Sequence, residues 1–208
     1  MVRYLGPRRK IVSKLGNLPG LTQKIKRDQL NSQDKDLGEQ KKSKASAYKI
    51  RLNEKQKLRY YYGISENQLI NYVKEARRRK GLTGFILMQL LEMRLDNILF
   101  RLNLAPTIPA ARQLISHGHI QVNDKSVTIA SFQCKPNDSI SIVKRQRIID
   151  LIEINLTQKA ALKPDTINDH IEFDTINLLG KVHGLIQEHN FIFNVNDMLV
   201  IEYYSRLI

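Results

Sequence analysis

Between residues 94 and 143 the apolar residues change from a helical to a strand-like spacing, and this change constrains the fold more than any other feature. The first part has apolar residues at i, i+3, i+4 and i+7, the repeat of one helix face: Leu95, Ile98, Leu99 and Leu102. A second helix is predicted from Thr107, a suitable N-cap, with Pro109 in its first turn. Gly118 is expected to end this helix near His117.

A short antiparallel sheet is predicted after the two helices. Apolar and polar residues alternate at 120–122, Asn123-Asp124 suits a two-residue turn, and the chain returns at 127–129. A third strand is predicted around 140–142. Helices and strands together indicate a small α+β unit with a single core.

The side of this unit opposite the apolar stripe carries cations and small polar residues. They lie on both predicted helices and at the hairpin turn: Arg94, Asn97, Arg101, Arg112, Gln113, Ser116, His117, His119, Asn123 and Lys125. Arginine forks suit phosphate oxygens, and small polar groups suit ribose hydroxyls, so we interpret these residues as a candidate RNA-binding set. The alternative is a solvated charged helix face.

The net charge of +14 is unevenly distributed. Residues 1–60 contain 17 Lys and Arg against 5 Asp and Glu, residues 61–149 contain 13 against 6, and residues 150–208 contain 4 against 9. A basic surface is therefore expected on the first two-thirds of the chain, with a polyanion as its partner. The acidic end is expected to contact something else, and protein is the best candidate.

The first 45 residues are predicted to be a basic arm, and residues 46–91 a helical domain. The arm lacks apolar periodicity, so we expect it to order on a polyanion and to be dispensable for folding, with a flexible tail as the alternative. Three helices are predicted here. The first runs from Ser46 to Gly63, the second begins at Ser65 with a capping box that includes Gln68, and the third covers 84–92.

The second of these helices ends in four cations, Arg77, Arg78, Arg79 and Lys80, which we call the basic cluster. Four cations exceed what the helix dipole needs, which favours a phosphate contact. Residues 92–150 are the predicted RNA-binding domain, and 151–185 are an unassigned extension of it. Residues 186–208 are expected to complete the helical domain, with a strand over 198–203.

Three segments resemble the RNA-binding domain of the S-four type small-subunit ribosomal proteins. They read EMRLDNILFRL at 92–102, AARQL at 110–114 and HIQVN at 119–123. The flanking segments resemble the same family: RYLGPR at 3–8, LNEKQKLR at 52–59, GLTG at 81–84 and VIEYYS at 200–205. Three segments are similar to plastid-encoded members: LGNLPGLT at 15–22, TIPAAR at 107–112 and EYYSR at 202–206.

The resemblance implies an α+β fold and a structural role in the small ribosomal subunit. The family binds the 5′ domain of the ribosomal RNA early in assembly, lies beside the S-five type ribosomal protein where messenger RNA enters, and contributes to decoding accuracy. It implies a plastid stroma location, with a bacterial-type cytoplasm as the alternative, and no membrane partner. The expected RNA-binding set then also includes Arg3, Tyr4, Arg8, Arg9, Lys10, Lys55, Lys57, Arg59 and the basic cluster.

Other chemistry finds little support in the sequence. The single cysteine, Cys134, excludes an internal disulfide and a Cys-based zinc site, and we expect no cofactor. A metal pair at His117 and His119 lacks an accompanying carboxylate or thiol. No apolar run is long enough for a membrane span and no leader is evident, so we expect a soluble protein that acts where it is made or one that has already lost a leader.

Three alternatives stay open at this level. An RNA-modifying enzyme or a stress-type protein could share the RNA-binding domain, although no catalytic motif is present and too few residues follow 143 for a catalytic domain. A third is an RNA chaperone or repressor that binds its own messenger.

Asp96 is expected to pair with an arginine or to cap locally. Tyr60, Tyr61, Tyr62 and Tyr72 could stack on bases, but core packing is expected for at least half of them.

Overall fold

The fold combines helices with one small antiparallel sheet. A computed structural model describes residues 4, 6–23, 46–143, 145–160, 170–175, 177–186, 193 and 195–205. In those residues the helices are α1 (Arg8–Leu15), α2 (Ala47–Tyr62), α3 (Glu66–Arg78), α4 (Thr83–Glu92), α5 (Leu95–Arg101), α6 (Ile108–Ser116), α7 (Gln146–Ala160) and α8 (Asp197–Ser205). The strands are β1 (Ile120–Val122), β2 (Lys125–Ser126), β3 (Ser139–Ile142), β4 (Ile171–Asp174) and β5 (Leu179–Val182). The predicted α+β class is confirmed.

The central helices begin and end where the sequence predicts. Ser46 caps α2, and Gly63 ends it in the left-handed conformation at φ +59°. The Ser65 hydroxyl accepts from the Gln68 backbone N–H, and the Gln68 side chain accepts from the Ser65 N–H, which is the predicted capping box of α3.

A first hydrophobic core lies among helices α1 to α4 and α8. Leu58 and Tyr61 from α2, Leu69 from α3 and Leu87 from α4 are each at most 1% exposed. Val200 and Tyr204 from α8 join this core. The strand predicted at 198–203 is wrong, because residues 200 and 204 lie one helical turn apart and face the same core. A run that is apolar on both sides does not by itself distinguish a strand from a buried helix.

The N-terminal segment also belongs to this core. Ile11, Val12 and Leu15 bury one side of α1, and Leu18 and Leu21 follow them into the interior. The expectation that the arm contributes nothing to the folded core is therefore wrong for residues 11–21. Ile11, Val12 and Leu15 have a helical spacing, but Gly16 follows at once and the Pro19-Gly20 pair interrupts the chain soon after, so the helical signal is short. Residues 24–45 lie outside the described part.

A second core lies between helices α5 to α7 and the sheet. The sheet is antiparallel with strand order β2-β1-β3-β5-β4. The predicted turn forms at Asn123 and Asp124, both at positive φ as a two-residue turn requires, but the return strand is Lys125–Ser126 and not the predicted 127–129. The predicted third strand pairs Ile142 with Ile120. β4 and β5 extend the sheet within the unassigned stretch, where Gly180 and Val182 are buried but their neighbours are polar or exposed.

Candidate nucleic-acid interface

A buried carboxylate, Glu92, gathers polar side chains at the end of α4. It is 0% exposed and accepts from Arg101, whose Nε lies 3.0 Å from Oε2 and whose Nη2 lies 2.5 Å from Oε1. The Nδ2 of Asn97 donates to Oε2 at 2.5 Å, and the Tyr62 hydroxyl donates to Oε1 at 2.5 Å. Because Tyr62 belongs to α2 and Arg101 to α5, Glu92 joins the two cores.

A second buried carboxylate, Asp96, lies on the next helix. Arg94 binds it with both ends of its fork, Nε to Oδ1 at 3.0 Å and Nη2 to Oδ2 at 2.8 Å. The remaining nitrogen of Arg94, Nη1, donates to the hydroxyl of Tyr72 on α3 at 2.7 Å. The expected pairing of Asp96 with an arginine is confirmed, and it again spans from the first core to the second.

Arg112 on α6 completes the same arrangement. Its Nε donates to Asp96 Oδ2 at 2.7 Å, and its two terminal nitrogens donate to the carbonyls of Gly63 and Tyr62 at 2.5 and 2.6 Å. A Cβ at position 63 would lie 3.0 Å from Arg112 Nη1, so glycine permits this approach as well as the positive φ. We call Glu92, Arg94, Asp96, Asn97, Arg101 and Arg112 the junction network.

Burial corrects part of the candidate RNA-binding set. The prediction that Arg94, Asn97 and Arg101 lie on an exposed face is wrong, since they are 0%, 0% and 3% exposed. The side of α5 opposite its apolar stripe packs against the first core instead of facing solvent. Lys55, 4% exposed, is likewise held by Glu66 at 2.9 Å and lies 4.7 Å from the Tyr203 ring centroid. These four side chains are buried and paired within the protein.

Burial and neighbouring charges shift the pKa values of side chains in and beside the junction network. Burial alone lowers the pKa of the Arg101 guanidinium, but the adjacent Glu92 carboxylate outweighs burial and raises that pKa above its ordinary value. For Arg94, burial likewise lowers the pKa, but the Asp96 carboxylate outweighs burial and the pKa is raised. Burial also raises the pKa of the Tyr62 phenol well above its usual range. Both arginines therefore stay charged and the phenol stays neutral near pH 7.

The basic cluster at the end of α3 is exposed throughout. Arg79 pairs with Glu75 at 3.1 Å, an exposed pair one helical turn apart that contributes little to stability. In the described part of the chain, no carboxylate pairs with Arg77, Arg78 or Lys80. Three of the four cations consequently present positive charge to solvent without a carboxylate partner among the described residues.

Helix α1 presents a second exposed row of cations. Arg8, Arg9 and Lys10 are exposed, and Lys14 extends the row by one turn. A groove of about 360 Å³ runs between this row and α2, where Arg59 forms part of its wall. Nearby, Tyr4 is exposed and Lys57 is half-buried beside Glu54 at 2.5 Å. Arg3 lies outside the described residues.

A third exposed set lies on α6 and the hairpin. Gln113, Ser116 and His117 are exposed on one side of α6, His119 is half-buried, and Asn123 and Lys125 are exposed at the turn. The Oδ1 of Asn123 accepts from the Ser139 backbone N–H at 2.9 Å, which braces the turn. Burial, followed by the charges of Arg145 and His117, lowers the pKa of His119, so this imidazole favours its neutral form.

Sequence reasoning predicted an arginine partner for Asp96 but missed the buried Glu92 centre and several exposed cations. Glu92, Arg94 and Asp96 alternate acid and base over five residues, a pattern that indicates internal ion pairing rather than RNA contact. In the described residues, the exposed cations outside the candidate set are Lys14, Lys49, Lys74, Lys135, Arg145, Arg147 and Lys181. Of the four tyrosines considered for stacking, Tyr61 and Tyr62 are 1% exposed, which confirms core packing for half of them.

Two negative observations apply to the described residues. None of the helices there combines the length and apolar character that crossing a bilayer requires. No three histidine, cysteine or carboxylate side chains come together there as a metal site would need. The Cys134 thiol is 4% exposed, and burial raises its pKa to about 12.

Comparison with known proteins decides the family. Residues 3–92 match the family model of the ribosomal protein S4/S9 N-terminal domain, and residues 93–140 match that of the S4 domain. The chain belongs to the ribosomal protein uS4 family. It is 48% identical over 206 residues to the small ribosomal subunit protein uS4 of Trichodesmium erythraeum, covering 99% of each chain. It is 51% identical to the uS4c proteins of Chlorokybus atmophyticus, with all of both chains covered, and of Cyanophora paradoxa, with 99% of this chain and all of the relative covered.

Family membership confirms the resemblance seen in the sequence. It also separates the chain from RNA-modifying enzymes that use a similar RNA-binding domain, because this family is a structural component of ribosomes. The relatives include plastid-type uS4c proteins as well as cyanobacterial uS4 proteins.

Proposed function

We propose that this protein is a structural component of the small ribosomal subunit of a plastid, where it binds ribosomal RNA directly. Family membership supports the ribosomal assignment, and the plastid-type relatives support the compartment, the stroma. The observation that carries RNA binding is the exposure of cations on three separate elements: α1, the end of α3, and Lys125 in the hairpin after α6.

The mechanism is recognition of RNA shape and backbone. Cations of the basic cluster and of α1 neutralise phosphates and release counterions, while Gln113, Ser116 and Asn123 offer groups that suit ribose hydroxyls. The junction network supports this surface indirectly, because it joins the two cores that carry the cations. A rigid separation between the cationic sets would favour one geometry where RNA helices of the 5′ domain meet, which fits an early role in assembly.

A protein contact is proposed for the C-terminal end. An apolar groove of about 670 Å³ lies between α4 and α8, with Leu82 71% exposed and Met198 77% exposed at its edges. The final third of the chain is net acidic, so this side suits RNA poorly. We propose the S-five type ribosomal protein as its neighbour, near the path of messenger RNA, which would link this side to decoding accuracy.

Sedimentation tests the ribosomal assignment. An epitope-tagged copy of the chain is expressed in a plastid-bearing cell, and extracts are separated on a gradient in high salt. The tagged protein should co-sediment with small subunits, because a core ribosomal protein resists salt that removes loosely bound RNA-binding proteins. Recovery only at the top of the gradient would contradict the assignment and would favour a free RNA chaperone or repressor.

A further inference from the structure

A small cleft forms where three distant segments of the chain meet. Its volume is about 240 Å³, and its walls come from the N-terminal segment, the end of α2 with the following turn, and the start of α6. The backbone N–H of Ile108, at the start of α6, donates to the carbonyl of Gly20 at 2.9 Å, which fastens the first segment to the third. The cleft therefore lies on the boundary between the two cores.

Two tyrosines form one side of the cleft. Tyr4 from the N-terminal segment and Tyr60 from α2 have ring centroids 5.4 Å apart and planes at 76°, an edge-to-face pair. Tyr4 is 39% exposed, and Tyr60 is only partly buried against the first core. Unlike Tyr61 and Tyr62, these two rings keep aromatic surface that faces outward.

Three arginines surround the tyrosine pair. The Cζ of Arg59 lies 5.1 Å from the Tyr60 ring centroid, Arg8 is exposed at the rim, and Arg112 lines the wall at α6. Arg112 is fully engaged by Asp96 and two carbonyls, so Arg8 and Arg59 hold the available charge.

The partners of Arg8 and Arg59 are weak ones. Arg8 donates to the Leu21 carbonyl at 3.4 Å, a neutral acceptor at the limit of a hydrogen bond. Arg59 donates to the neutral Gln56 side chain at 3.3 Å and lies 3.8 Å from a carboxylate oxygen of Glu66, which binds Lys55 more closely at 2.9 Å. Cationic charge therefore exceeds anionic charge at the rim.

We propose that this cleft holds a single unstacked nucleotide of RNA, its base against Tyr4 and Tyr60 and its phosphate on Arg8 and Arg59. The proposal rests on the proposed function and names one subsite of it. Proteins that bind single-stranded nucleic acid combine aromatic rings with available cations, because every base has a π-face and every nucleotide a phosphate. A nucleotide bound here touches the N-terminal segment, α2 and α6 at once.

The test measures binding of the full chain to a transcript of the 5′ domain of small-subunit ribosomal RNA. Tyr60→Leu keeps apolar packing but removes the ring, and we expect it to weaken binding by about tenfold with an unchanged salt dependence. Tyr60→Phe should bind like the wild type. Tyr4→Leu, at a site peripheral to the core, should weaken binding in the same way. The matched control is Tyr48→Leu, which removes a 59% exposed tyrosine near the other end of α2 and should bind normally.

A second readout follows the rings themselves. Nitration by tetranitromethane, mapped by mass spectrometry, should modify Tyr4 and Tyr60 in the free protein and spare them in the complex, while Tyr48 reacts in both. Normal binding by Tyr60→Leu and Tyr4→Leu, with equal nitration in the presence of RNA, overturns the proposal and leaves RNA binding intact. Weaker binding by Tyr60→Phe to the same extent as Tyr60→Leu also overturns it, because the ring would not be the determinant. If the wild type does not bind the transcript, the proposed function fails with it.

Discussion

The junction network and the basic cluster contain the same residue types and use them in opposite ways. In the network, Arg94 and Arg101 are at most 3% exposed and each faces a buried carboxylate. In the cluster, four cations are exposed and only Arg79 has a nearby carboxylate partner among the described residues. The comparison teaches that an arginine buried against a buried carboxylate stabilises the fold, whereas an exposed arginine in a basic protein is available for an RNA contact.

The first prediction breaks the network at Arg101. Arg101→Ala should lower the free energy of unfolding by about 3–5 kcal/mol, because Glu92 is left buried without its partner. Urea denaturation followed by circular dichroism measures the change. Arg77→Ala, in the basic cluster, is the matched control and should change stability by less than about 0.5 kcal/mol. Equal stability of the two variants would contradict the distinction between the two regions.

The second prediction concerns the N-terminal segment, which has one side buried, like the junction network, and one side exposed, like the basic cluster. Leu18 is 1% exposed, and Leu18→Ala should cost about 2–5 kcal/mol of unfolding free energy through lost burial and a cavity. Lys14→Ala, on the exposed side of α1, should leave stability nearly unchanged. Thermal melts of both proteins decide the point, and an unchanged melting temperature for Leu18→Ala would mean that the segment is not part of the core.

The third prediction concerns Arg112, whose side chain is 15% exposed. Its exposure is intermediate between that of the other network arginines and that of the basic cluster. Arg112→Lys keeps the charge but loses the planar fork that reaches Asp96 and two carbonyls. It should cost about 1.5–3 kcal/mol of unfolding free energy, by the usual value of hydrogen bonds to charged groups. Full stability of the lysine variant in denaturant titrations would show that charge alone suffices at this position.

The local elements of this fold are readable from sequence because their signals are local. Ser46, Gly63 and the Ser65–Gln68 pair mark helix ends, and the Asn123-Asp124 turn marks the hairpin. These features depend on neighbours within a few residues.

The sequence-based predictions were wrong where packing between distant segments determines exposure or secondary structure. The polar side of α5 is covered by the first core, so an amphipathic pattern predicted exposure for Arg94 and Arg101 where burial occurs. The run at 198–203 is apolar on both sides and formed a helix because α8 packs beside α2 and α4. β4 and β5 gain their hydrogen bonds from β3, a partner that is distant in sequence. For the candidate surface, residue type identified the basic cluster and the cations at the start of α1, while the buried Glu92 centre required the structure.

The salt dependence of RNA binding tests the central claim most directly. The basic-cluster variant Arg77→Gln, Arg78→Gln, Arg79→Gln and Lys80→Gln is compared with the wild type on the 5′-domain transcript across a range of salt concentrations. We predict that the slope of log K against log salt falls by roughly one for each phosphate contact removed, with the melting temperature unchanged. The contrary result would be an unchanged slope for this variant and a flattened slope for folded Arg101→Ala, which would move the RNA contact from the basic cluster to the junction network.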